Sequence, residues 1–222
     1  FSSLTPPLLA LALFSALAAC GRKAKEDASK SPATKTAQDT QAPVQKPVPA
    51  EIWKEFSGER ALARVEQQVA CGPRPSGSPE LTQARVKIVA GLEGDGWIVE
   101  KQAFTAQTPH GPVEMTNVIG RFGGRSDTQK TLLTSHYDTK KFSTIRFLGA
   151  NDGGSSTGAL LEAAHVLAMD PAFAAQIELV FFDGEEAVQQ FTETDGLYGS
   201  RHYATQLRDS GRAAQFKFGV LW

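Results

Sequence analysis

The sequence predicts an α/β fold: a doubly wound, mixed and mostly parallel sheet with helices on both faces. Two observations predict it. Short apolar runs, of which Ile177 to Phe182 is the clearest, alternate along the chain with amphipathic stretches of helical spacing. Polar and acidic motifs follow the ends of those runs, where open α/β sheets bind ligands.

The elements follow in order. From about Ile52 the chain is globular in pattern. Leu62, Val65 and Val69 fall at helical spacing. Cys71 to Pro79 is a loop by its Gly, Pro and Ser content. Leu81, Ala84, Ile88 and Leu92 mark a second amphipathic helix, ended by Glu93-Gly-Asp-Gly96. Trp97 to Phe104 and Met115 to Phe122 read as strands. Thr131 to Ser135 is a short apolar strand leading into His136-Tyr137-Asp138. Leu160, Ala163, Ala164 and Leu167 form a helix stripe, closed by Asp170-Pro171. The Ile177–Phe182 strand, a long loop and a helix from about Gly199 to Arg208 complete the series.

Bulk properties bound the rest. The chain has 222 residues, a formal net charge of -1 and 41% hydrophobic residues, which suits one globular domain plus an extension. No basic stripe supports nucleic-acid binding. Two cysteines cannot build a disulfide framework. The first residue is Phe1, and the last five, Phe218 to Trp222, read as a buried strand. The chain is therefore expected to be a fragment, with its sheet incomplete at the C-terminus.

Residues 1–20 read as a lipoprotein signal peptide. Leu8 to Ala19 is too short to span a bilayer comfortably, but it fits the apolar region of a secretory signal. Leu17-Ala18-Ala19-Cys20 resembles a bacterial lipobox, which makes Cys20 the expected lipidation site. Residues 21–50 are polar and Pro-containing and read as a disordered tether, with an r.m.s. reach of about 30 Å. Residues 51–222 form the domain. The expected location is an exported, membrane-anchored bacterial lipoprotein, periplasmic or on the cell surface. Its membrane contact is expected only through the lipid.

Three motifs carry chemistry. His136-Tyr137-Asp138 follows one strand, and Asp183-Gly184-Glu185-Glu186 follows another. Asn151-Asp152-Gly153-Gly154 precedes a helix. Singly each has an ordinary structural explanation. Together, at strand exits, a histidine and several carboxylates suit a zinc site, because catalytic zinc takes such ligands and keeps a position open.

These residues, with the Gly72-Pro73-Arg74-Pro75-Ser76-Gly77-Ser78 loop, resemble the zinc aminopeptidase and glutaminyl cyclase family, metallopeptidase family twenty-eight. The resemblance runs from about Glu55 to the end. It implies a doubly wound α/β fold and peptide or protein N-termini as substrate. It implies Asp152 and Glu186 as zinc ligands and Glu185 as general acid/base. His136 would bind a second zinc in a two-zinc aminopeptidase, but is not a ligand in the one-zinc cyclase branch. Asp138 would orient its neighbours. A further Asp and a late His are expected beyond Trp222.

The segments flanking the acids resemble glutaminyl cyclase: His136-Tyr-Asp-Thr-Lys140, and Asp195-Gly-Leu-Tyr-Gly-Ser-Arg-His202. Phe191 stands where that branch has Trp, keeping an aromatic wall in the substrate pocket but losing the indole N–H. Gly153 to Gly158 is closer to the aminopeptidase pattern. The expected activity is glutaminyl cyclisation, with aminopeptidase as the alternative and a non-catalytic binding module of the same fold as a third reading. His202 is expected to be structural, Cys71 a small buried residue, His165 exposed, His110 a loop residue, and Lys140-Lys141 a solvated pair.

Overall fold

The structure, a computed structural model, describes residues 48–124 and 129–222. The signal peptide, Cys20 and nearly all of the expected tether lie outside the described residues. Among the described residues, no helix is long and apolar enough to cross a membrane.

After a 3₁₀ turn at Ile52–Glu55 come α1 (Gly58–Val69) and α2 (Pro79–Gly94). Both helices open on a serine cap. Ser57 Oγ accepts the Arg60 amide at 3.2 Å, and Ser78 Oγ accepts that of Leu81 at 3.1 Å. Pro79 sits in the first turn of α2, where its missing N–H costs nothing. A hairpin follows, β1 (Ile98–Thr108) and β2 (Gly111–Arg121), with Ile98 opposite Arg121 and Thr108 opposite Gly111. Both strands are longer than their sequence pattern predicts. Residues 105–114 around the turn are mostly exposed, and only Ala106 among them is buried, so little apolar alternation betrays them.

The chain continues through β3 (Lys130–His136), α3 (Gly154–Leu167), α4 (Pro171–Ala174), β4 (Ile177–Phe182), α5 (Tyr198–Asp209) and β5 (Phe216–Leu221). Asp170-Pro171 opens α4 as well as following α3, since the Asp170 carboxylate accepts the Phe173 amide at 3.1 Å.

The sheet order is β1-β2-β4-β3-β5. β3 pairs in parallel with β4 and β5, while β2 pairs antiparallel with β1 and β4. Four strands therefore point one way, and β2 alone opposes them. All six residues of β4 are buried, as its uniformly apolar neighbours Ile177 and Leu179 to Phe182 require of a central strand. Side chains alternate across the sheet. Leu179 and Phe181 join Val118 under Leu81, Ile88 and Leu92 of α2 and Leu160 and Leu161 of α3. Val180 and Phe182 join Ile119 on the opposite face, under Tyr203 of α5. Each such large apolar side chain contributes about 1.5–3 kcal/mol when fully buried.

One residue of β4 breaks the pattern. Glu178 is fully buried, and it is matched by Arg121 and Arg212 at 2.8 Å and the Tyr203 hydroxyl at 2.6 Å. A buried carboxylate without such partners would cost several kcal/mol.

Candidate active site

Register alone brings the histidine and acidic motifs together. His136, the last residue of β3, lies opposite Phe182, the last of β4. The two chains leave the sheet side by side, and the Tyr137 amide still donates to the Phe182 carbonyl at 3.1 Å. α3 then starts beneath them. Its Thr157 hydroxyl donates to the His136 carbonyl at 2.8 Å. Gly153, with φ 73°, allows the close approach: a Cβ there would lie 3.0 Å from both the His136 ring and the Asp138 carbonyl.

Asp138 is the fixed point. Its carboxylate is buried and accepts two successive backbone amides, from Glu185 and Glu186, each at 3.1 Å. Its Oδ1 also lies 3.4 Å from His136 Nδ1, a nitrogen left without a hydrogen bond. On the other side of the ring, His136 Nε2 lies 3.1 Å from Asp152 Oδ1. His136, Asp138, Asp152, Glu185 and Glu186 are thus gathered around one imidazole, as the motifs predict.

The charges show the crowding. Burial disfavours the imidazolium of His136, but Asp138, Glu185 and Asp152 outweigh it and raise the ring to about 9. Glu186 is pushed up to about 7 by burial and by repulsion from Asp152, Asp138 and Glu185. Glu185 is raised by burial, with His136 opposing.

Two cavities meet at Glu186. One, of about 530 Å³, is lined by Asp152, Glu186 and Phe191 with Lys140 and Phe147. The other, of about 470 Å³, lies toward Ser76, His110 and Lys141. Phe191 thus lines the same cavity as Asp152 and Glu186.

Several predicted details change. Lys140 is not solvated: its ammonium donates to the Ala187 carbonyl and, at 3.2 Å, to that of Gln189, and lies 5.8 Å from the Phe191 ring centre. The carbonyls of the loop after the acids face it, which a local pattern cannot reveal. Lys141 is exposed as expected. His165 is not free but lies 2.7 Å from the Asp95 carboxylate. Cys71 is half-buried rather than buried, beside the Gln67 carbonyl. His202 is structural, stacked on Phe104 with ring centres 4.3 Å apart.

Sequence reasoning also missed the supports. Asp183 points away from the cavity into the protein. There it accepts the Ser76 hydroxyl at 2.7 Å and the Thr116 amide at 2.8 Å, and burial pushes it up to about 7. Asp195 ties down the loop after the acids. It accepts the amides of Val188, Gln189 and Gln190 at 2.7, 2.9 and 3.0 Å and the Tyr198 hydroxyl at 2.8 Å. Its Asp-Gly setting was the available signal.

Among the described residues, no three His, Cys, Asp or Glu side chains converge closely enough to hold a metal ion. The donor chemistry nonetheless fits zinc. Asp152 and Glu186 line one cavity, and the upward shift of Glu186, caused by burial and then by the neighbouring carboxylates, is one that a bound cation would relieve.

Fold and site together define a doubly wound α/β domain with a carboxylate-rich centre at its strand exits. Residues 117–221 match the family described as Peptidase family M28. A Bos taurus glutaminyl-peptide cyclotransferase-like protein is 39% identical over 147 residues, covering 62% of this chain and 38% of the relative. The crystal structure of an Acidobacteriales bacterium glutaminyl cyclase superposes with a TM-score of 0.68 at 36% identity, covering 82% of this chain and 61% of that one. A Zn-dependent exopeptidase from Parabacteroides distasonis gives a TM-score of 0.65 at 28% identity, covering 79% and 62%. The matched stretch is thus similar to peptidase family M28, and the relatives it matches are glutaminyl cyclases. It spans less than half the length of the curated relative above.

Proposed function

We propose that this protein is a zinc-dependent glutaminyl-peptide cyclotransferase, converting N-terminal glutamine of peptides to pyroglutamate with release of ammonia. The observation that carries the reading is the joint placement of Glu185 and Glu186 by Asp138, with Glu186 sharing a cavity wall with Asp152 and Phe191. The glutaminyl cyclase relatives support this branch over the aminopeptidase and the binding module.

Asp152 and Glu186 would hold zinc. His136 would join only a second zinc, and its Nε2 is already engaged with Asp152. When bound, zinc supplies a Lewis acid for the side-chain amide oxygen of the substrate.

The residues of the chain do the rest. Glu185 takes a proton from the substrate's α-amine as the amine attacks the side-chain amide carbon, closing the ring. It returns a proton to the nitrogen that leaves as ammonia. Its raised pKa brings it toward the operating pH, which suits both directions of transfer. Asp138 holds the backbone of both glutamates, so Glu185 keeps its place while its charge changes. Phe191 and Phe147 supply apolar walls for the ring-closing conformer.

The test is Glu185→Gln, assayed on a Gln-peptide and on a Leu-amide, with zinc content measured in parallel. Pyroglutamate formation should fall about 100- to 10,000-fold with zinc retained. Leu-amide hydrolysis by the unsubstituted protein, without cyclisation, would overturn the reading. We also place the protein at a membrane through a lipid on Cys20, which lies outside the described residues.

A further inference from the structure

Arg74 lies in the loop between α1 and α2, and no part of it is exposed. Among the described residues its guanidinium meets no carboxylate. It donates instead to backbone carbonyls: Tyr137 at 3.3 Å from Nε; Leu148, Gly72 and Gln68 at 2.7, 3.3 and 3.4 Å from Nη1; and Gly149 at 3.2 Å from Nη2. A buried cation is costly, so spending one on carbonyls needs a reason.

The carbonyls supply it. Tyr137 separates His136 from Asp138. Leu148 and Gly149 open the turn that carries Asp152. The Gly149 carbonyl accepts both Arg74 and the Gly154 amide, the latter at 3.1 Å, closing the turn 149–154 around Asp152. The same turn packs tightly on Thr139: a Cβ on Gly149 would come within 2.5 Å of the Thr139 methyl and 2.8 Å of the Asp152 carbonyl. Arg74 grips Thr139 as well. Its amide donates to Thr139 Oγ1 at 2.8 Å, and its carbonyl accepts the Thr139 amide at 3.0 Å.

We propose that Arg74 is a positioning residue, fixing the distance between the His136–Asp138 segment and the turn that presents Asp152. The inference rests on the reading of Asp152 as a zinc ligand. Only a planar fork can reach carbonyls on both sides at once, so lysine, with its donors on one nitrogen, cannot replace it.

The experiment compares Arg74→Lys with Arg121→Ala, which breaks the Glu178 pair at the far end of β4. Zinc affinity is measured on the purified, folded proteins by chelator competition, beside thermal midpoints. Hydrogen exchange is followed at residues 149–154 of the zinc-free proteins. Arg74→Lys should weaken zinc binding about 10- to 100-fold, as loss of an outer support typically does, and should speed exchange in 149–154. Arg121→Ala should lower the midpoint and change neither. If Arg74→Lys lowers stability but leaves zinc affinity and local exchange unchanged, Arg74 is structural only and the functional reading survives. If the unsubstituted full-length protein binds no zinc, both fall.

Discussion

Replacing Asp195 by Asn tests whether one carboxylate shapes the wall of the cavity. Each carboxylate oxygen serves two donors: Oδ1 takes Val188 and Tyr198, and Oδ2 takes Gln189 and Gln190. An asparagine has one oxygen and one NH2, so in either orientation two donors lose their acceptor and face another donor. Hydrogen bonds to a charged group contribute about 1.5–3 kcal/mol each. Two lost bonds give about 3–6 kcal/mol, less what water recovers along a partly exposed loop, leaving about 2–4 kcal/mol. Urea unfolding at pH 7 measures it. The pH dependence has a definite sign. Burial opposes the charge on Asp195, but the three amides and Tyr198 outweigh it and hold the carboxyl down at about 2. Its folded value lies below its unfolded one, so its contribution is complete above about pH 4 and is lost as pH falls toward about 2. The Asn variant should lack that component of acid sensitivity. A change under about 0.5 kcal/mol, or an acid profile identical to the unsubstituted protein, would refute the reasoning.

Other outcomes follow from the same structure. Gly153→Ala should cost about 1–3 kcal/mol in backbone strain, with further loss from the clash with His136, read as a lowered thermal midpoint and a displaced His136 ring resonance. Leu92→Ala should cost about 2–5 kcal/mol in urea unfolding, because Leu92 is fully buried between α2 and the sheet. Cys20→Ala should move the protein from the membrane to the soluble fraction of cells, and unchanged fractionation would remove the anchor.

What the sequence makes legible follows from how local each cause is. β4 is found to the residue because its apolar run is unbroken save for Glu178. α2 is found because its buried Leu81, Ala84, Ile88 and Leu92 keep helical spacing. The hairpin is found only in part, since the half near its turn is stabilised by backbone pairing rather than by burial. Among the acids, the motifs at strand exits stand out because each adjoins a recognisable strand or helix. Asp138's grip on two amides, the inward turn of Asp183, the contacts of Arg74 with the Tyr137, Leu148 and Gly149 carbonyls and those of Lys140 with Ala187 and Gln189 all join residues more than forty positions apart. No local spacing encodes them. They become visible only when the register of β3 against β4 sets the strand exits side by side.

The paired amides of Glu185 and Glu186 have one more consequence. Two successive N–H groups aimed at a single point form a nest, the kind of concavity that elsewhere captures phosphate or a free carboxylate. Here Asp138 occupies it from within. The chain brings its own anion to a backbone pocket built to attract one. A dissolved anion meets a position already filled, and the hydrogen-bonding strength of those amides goes into holding two strands' ends together rather than into a ligand.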